Sequence, residues 1–341
     1  MKQKNRDSRI ELLRIFSMFL IVISHFSLES VSCWQHNGSP IEAVKLLYFD
    51  VLGQPGAIIF FIISGFFYSS NFQFDDSKKR TMHQIWKIWS KTFFYSVIIL
   101  AVAFLYIKKP SLKQIAVAIL PFSFNEYWFV TCYIITIVLS PWLNKIIDLI
   151  SITEFKDLLI VFFILMFPGL LNAGIINNFI LALSGYFTGA FIKKYRIQME
   201  HITSKQIIIL GILDYIIMLI SIVLSKLIGI STYHSAHFTH FPLSYILAVC
   251  IFLLFLKIKP FKNKIINLLA SGVFAVYLIT VHPLFYSYLW MNIVHIQVYK
   301  NIGIFVSSMI MIIISVIICI ICSIVDIIVS KIIGELMKLR H

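Results

Sequence analysis

Arg14 and His25 lie eleven residues apart in RIELLRIFSMFLIVISHFSL (residues 9–28), a run otherwise apolar enough for lipid. At about 100° per residue, eleven steps return to within about 20° of the starting face and rise about 16 Å. A guanidinium and an imidazole therefore share one face of one predicted helix. Glu11, three residues before Arg14, can pair with it on that face. A fixed cation and a group that titrates near neutral pH are the means for holding an anion and moving a proton. Each has a plainer account: Arg14 can snorkel to headgroups, and His25 can bond a neighbouring helix. Ionisable groups inside a membrane usually face a cavity and mark function, so the aligned pair predicts a polar stripe from one membrane face towards the other.

The elements that must carry this stripe follow from composition. Of 341 residues, 60% are hydrophobic and 13% charged, where soluble proteins carry about a quarter charged residues. Apolar runs near 20 residues recur along the whole chain, which predicts an all-α polytopic membrane protein. No polar stretch is long enough for a separate soluble domain. A single membrane-embedded domain is expected over 1–341, with short basic tails at 1–8 and 331–341. The first run is too long for a cleaved signal peptide, and no small-x-small site follows it before Cys33 and Trp34.

Ten spans are expected, at 10–29, 52–70, 88–107, 127–148, 157–173, 176–192, 206–227, 241–257, 268–291 and 302–330. Breaks fall at GQPG (Gly53–Gly56), FDDSKKR (Phe74–Arg80), Pro110, Pro121 and Pro260. An even count puts both termini on one side. Of 29 Lys and Arg, six (Lys45, Lys108, Lys109, Lys113, Lys226, Lys300) fall in the opposite loops, leaving 23 on the side of the termini. That asymmetry predicts cytoplasmic N- and C-termini in a multi-pass protein of the cell membrane, and it accounts for the +14 formal charge without nucleic acid.

Some features point to little chemistry. Cys319 and Cys322 form a CxxC within an isoleucine-rich run without His or acidic neighbours. His234, His237 and His240 form an outer-loop run with no acid or cysteine beside them, so no metal is expected. Asp214 and Asp326 lie inside predicted helices, where they can line a cavity or pair with a neighbour. No P-loop, dinucleotide fingerprint or nucleophile elbow is present.

An arginine, ten residues and a histidine in the first helix resembles the membrane-bound acyltransferase 3 family, ten-helix bacterial enzymes of the surface-polysaccharide O-acetyltransferase type. FFIISGFF (Phe60–Phe67), EYWFVTCYIITIVLSPWLNKII (Glu126–Ile147), SGYFTGAFI (Ser184–Ile192) and SGVFAVYLITVHPLFYSYLW (Ser271–Trp290) resemble its second, fourth, sixth and penultimate helices. The likeness spans residues 9–290. There are two departures. Thr280 stands where members often have a histidine, with His282 two residues on. Lys87 and Lys91, in IWKIWSKTF, stand near the place of a common Arg-x-x-Arg.

The resemblance implies transfer of an acyl group, usually acetyl from cytoplasmic acetyl-CoA, to a sugar hydroxyl of capsule, wall or exopolysaccharide at the outer face, without a metal. Membrane lipid and a polysaccharide or lipid-linked glycan are the expected partners, and nucleic acid is not. Arg14, supported by Glu11, with Lys87 and Lys91 would suit the donor's phosphates, although the lysines also fit plain charge bias. His25 would act as general base or as transient acyl carrier. Its acid partner cannot be Glu11, about 21 Å away along the helix; Glu126 and Asp50 are the candidates. Trp128 would stack on a sugar or sit in the interfacial aromatic belt. Ser64 beside Gly65 would allow close packing or donate to an oxyanion. Tyr127, Tyr277 and His282 complete the expected cavity lining. A transporter or flippase for a glycan or lipid-linked sugar is the alternative, and an inactive or sensory relative a third reading.

Overall fold

A computed structural model describes residues 7–34, 38–69, 74–106, 111–120, 127–170 and 174–338. Among these the regular structure is helical, with no strand, as expected where lipid cannot satisfy open backbone groups. In order, the helices are α1 (Ser8–Trp34), α2 (Pro40–Leu47), α3 (Gly53–Tyr68), α4 (Phe74–Tyr106), α5 (Leu112–Ile119) and α6 (Trp128–Leu149). Then come α7 (Ile152–Leu165), α8 (Ile175–Lys194), α9 (Ser204–Leu227), α10 (Thr232–Ser235), α11 (Pro242–Lys257), α12 (Lys264–Thr280), α13 (Pro283–Tyr288) and α14 (Ile304–Lys338). Their starts are written locally. Ser111 with Gln114, Ser151 with Glu154, and Thr203 with Gln206 form capping boxes that satisfy the first free amides.

Among the described residues seven helices are long and apolar enough to cross a membrane, or nine when two bent pairs count as single spans. The one expected span without a counterpart among these is the fifth, 157–173, where α7 lies. Its capping box starts it at Ile152, and it ends before Pro168 after 14 residues. That is about 21 Å of rise, short of the roughly 30 Å hydrocarbon core. The single helix expected over 268–291 is also corrected: it is broken, with Lys264–Thr280 and Pro283–Ile293 meeting at 83°. Pro283 is the cause. It cannot extend α12, and the preceding His282 is extended (φ −61°, ψ 126°), as a residue before proline prefers.

The most buried of the seven spans is α1. Two thirds of its apolar window (67%) lies inside the protein, against 22% for α9. It packs on α3, α11, α12 and α14. Ile208, Ile212, Ile216 and Ile220 on α9 are exposed; in a multi-pass membrane protein they face acyl chains. The tightest approach is between α3 and α8. A Cβ at Gly65 would overlap the Tyr186 carbonyl oxygen, and one at Gly189 the Ile62 carbonyl oxygen. Gly185 and Gly189, four residues apart on α8, put this contact on one face, a small-xxx-small arrangement.

Candidate active site

Arg14 and His25 leave α1 on the same side but open into two cavities, not one groove. The first, of about 210 Å³, lies towards the N-terminal end of α1. Arg14, Lys87 and Lys91 are its cations, and Ser64, Gln84 and Tyr133 its other polar walls. The Arg14 guanidinium is 3.3 Å from both oxygens of the buried Glu11, the pair expected from their spacing. Lys91 donates to Asp326 of α14 at 2.7 Å, and Tyr95 donates to the other carboxylate oxygen at 2.8 Å. Asp326 is therefore a counter-ion that ties α14 to α4. The Ser64 hydroxyl donates to the Phe60 carbonyl at 2.8 Å and lies 3.1 Å from the Tyr133 hydroxyl; beside it Gly65 makes the close packing described above.

The second cavity, of about 270 Å³, is lined by His25, Asp50, Trp128 and Tyr277, all expected, together with Gln54, Asn178, His237 and His240. His25 Nδ1 is buried with no hydrogen-bond partner among the described residues. The rings of His25 and Tyr286 meet nearly at right angles, with centres 5.7 Å apart and 80° between planes, and the Tyr286 hydroxyl lies near the Glu29 carboxylate. The imidazole thus packs sideways against a ring while one nitrogen remains uncommitted. Asp50 is buried at the turn into α3, and its amide donates to Ser27 Oγ at 3.2 Å.

His240 reaches this cavity through an unusual turn. Phe241 has φ 57°, a region bulky residues seldom occupy. Its amide donates to Gln54 Oε1 at 2.5 Å, and its ring packs where a side chain on Gly169 would stand. The sequence reading missed Gln54, Asn178, His237 and His240 as site residues. GQPG read as a turn, and the histidine run read as loop; the Pro242 that follows His240 and Phe241 was the only local sign of a constrained bend. His234, His237 and His240 follow one another with tilted rings, their centres 5.4 and 5.7 Å apart. Among the described residues no three His, Cys, Asp or Glu side chains are grouped to hold a metal ion.

Other expected site residues sit elsewhere. Tyr127 is buried, and its hydroxyl donates to the Leu278 carbonyl at 3.2 Å without lining either cavity. His282 also lines neither. Its Nδ1 accepts the Leu284 amide at 3.2 Å as the cap of α13, and its Nε2 lies 3.3 Å from Ser96 Oγ. Glu126 lies outside the described residues.

Both cavities are built on α1, α3, α6 and α12. Cations occupy one, and an uncommitted imidazole with a buried carboxylate occupies the other. No curated protein and no solved structure matches the chain. Against protein families, residues 7–324 match acyltransferase 3, described as an acyltransferase domain. The match covers all but a few residues at the start and the end of α14, and it takes in both cavities: this chain belongs to the acyltransferase 3 family and is a multi-pass membrane acyltransferase.

Proposed function

We propose that the enzyme moves an acetyl group from cytoplasmic acetyl-CoA across the cell membrane to a hydroxyl of a surface or exported polysaccharide. One observation carries this reading: a cavity with three cations and a cavity with His25 open along one helix, with Arg14 in the first and His25 in the second about 16 Å apart by helical rise. A phosphate-bearing donor with a flexible arm ending in a thioester suits that division. Its phosphates stay with Arg14, Lys87 and Lys91 on the cytoplasmic side, and its arm points towards His25. The acceptor enters the other cavity from outside, where Trp128 offers a face for a sugar ring and Gln54 and Asn178 offer amides.

In the transfer the neutral imidazole takes the hydroxyl proton as that oxygen attacks the thioester carbonyl. The C–O bond forms, the C–S bond breaks, and the sulfur leaves as CoA-SH with the proton returned by the imidazolium. In the two-step form His25 carries the acetyl briefly, with the same products. Asp50 is the acid placed by this reading to steady the imidazolium, with Glu126 as the other candidate. The test is NMR of surface glycan from a deletion strain complemented with wild type or His25→Ala at equal protein level. O-acetyl protons should return with wild type and fall about 10²–10⁴-fold with the variant. Equal O-acetyl signals in the deletion and complemented strains would refute the reading for that glycan.

A further inference from the structure

Resting on this acyl-transfer reading, a size selector can be located between the two cavities. On α3 the wall passes from Ala57 in the histidine cavity to Phe60 in the cationic cavity; on α12 it passes from Tyr277 to Phe274. Each step is three residues, about 4.5 Å of rise. On α6 the switch falls between neighbours, with Trp128 on one side and Phe129 on the other. Only about one layer of side chains therefore divides the cavities on three of their four shared helices. That layer is aromatic. Phe129 is 3% exposed, and its ring centre is 5.3 Å from Tyr277, 5.2 Å from Phe61 and 5.7 Å from Phe60.

We infer that Phe129, closing against Tyr277, is the specificity-determining residue for acyl length. The thioester carbonyl must pass this layer to meet a hydroxyl beside His25. The group that crosses is the acyl end of the arm; the C–S bond breaks and the C–O bond forms on the far side, and CoA-SH leaves towards the cations. Rings packed at 5–6 Å part for a two-carbon acyl more readily than for a four-carbon one, because each added methylene must be accommodated in a filled interior. Phe129 is itself uncharged and is not the base, so its substitution alters the aperture without removing donor cations or His25.

The experiment uses full-length purified protein in proteoliposomes. Surface glycan extracted from the deletion strain is the acceptor, and acetyl-, propionyl- or butyryl-CoA the donor. CoA release is read with a thiol reagent, and acyl esters by mass spectrometry. Wild type should prefer acetyl to butyryl. Phe129→Ala should raise the butyryl-to-acetyl ratio by about tenfold or more, the scale on which apolar pockets discriminate methylenes. Phe129→Leu, which keeps more of the packing, should move the ratio the same way by less. A ratio unchanged from wild type in both active variants overturns the aperture while leaving acyl transfer intact. No wild-type turnover above His25→Ala with any donor overturns the acyl-transfer reading and the aperture with it.

Discussion

The ion pair between Lys91 and Asp326 lends itself to a complete double-mutant cycle. The 2.7 Å contact joins α4 to α14 at the rim of the cationic cavity, and the two side chains are unequally buried: Lys91 is 21% exposed and Asp326 4%. Removing one partner of a buried pair costs about 3–5 kcal/mol, because the other charge is stranded. Asp326→Asn strands Lys91, whose ammonium faces the cavity and stays reachable by water, so about 2–3 kcal/mol is expected. Lys91→Met strands Asp326, the deeper group, with Tyr95 as its remaining donor, and should cost more, towards the full 3–5 kcal/mol. Lys91→Met with Asp326→Leu removes both charges and should recover most of the loss, since apolar replacement of a buried pair is often neutral. Thermal unfolding in detergent should rank wild type with the double variant above Asp326→Asn, and Asp326→Asn above Lys91→Met. Donor kinetics add a second axis. Asp326→Asn leaves Lys91 un-neutralised and should lower KM for acyl-CoA, whereas the double variant should raise it. Single variants that unfold with wild type, or a double variant whose loss is the sum of the singles, would refute this account of the pair.

Other expectations rest on different contacts. Gly189→Leu drives a side chain into the Ile62 carbonyl and should destabilise by about 1–3 kcal/mol or more; an unchanged, monodisperse protein with wild-type unfolding would show that α3 and α8 separate freely. Arg14→Met should raise KM for acyl-CoA about tenfold or more, the scale of one lost charged hydrogen bond, with less effect on kcat. A kcat loss at constant KM would remove Arg14 from ground-state donor binding. His282→Ala removes the α13 cap and should cost about 1 kcal/mol of stability while turnover per folded molecule stays near wild type; loss of transfer matching that of His25→Ala would give His282 a catalytic part.

Much of this was legible along the chain because helical geometry is local. Apolar runs of about 20 residues located the spans. A three-residue interval predicted the Arg14–Glu11 pair, and an eleven-residue interval put Arg14 and His25 on one side of α1. The two irregular spans were readable only in part: Pro283 stood in view, but the angle it imposes depends on what α13 packs against. Across helices the signal ran out. Lys87 and Lys91 could be placed at an inner mouth by charge, yet nothing near Lys91 in sequence names Asp326, 235 residues away. His282 looked like a displaced site residue, and its partners turned out to be an amide and Ser96. Gln54, Asn178, His237 and His240 come from three distant stretches that meet only because α3 and α8 pack glycine to backbone and the Phe241 turn points inward.

By itself, then, the sequence determined that the chain is a helical membrane protein and which residues share a helix face, since 3.6 residues per turn and a hydrocarbon slab are enough to derive both. Only the tertiary structure decided that the polar stripe opens into two cavities with an aromatic layer between them. That division depends on which faces of α1, α3, α6 and α12 come together, and packing between helices is not encoded by spacing within any one of them.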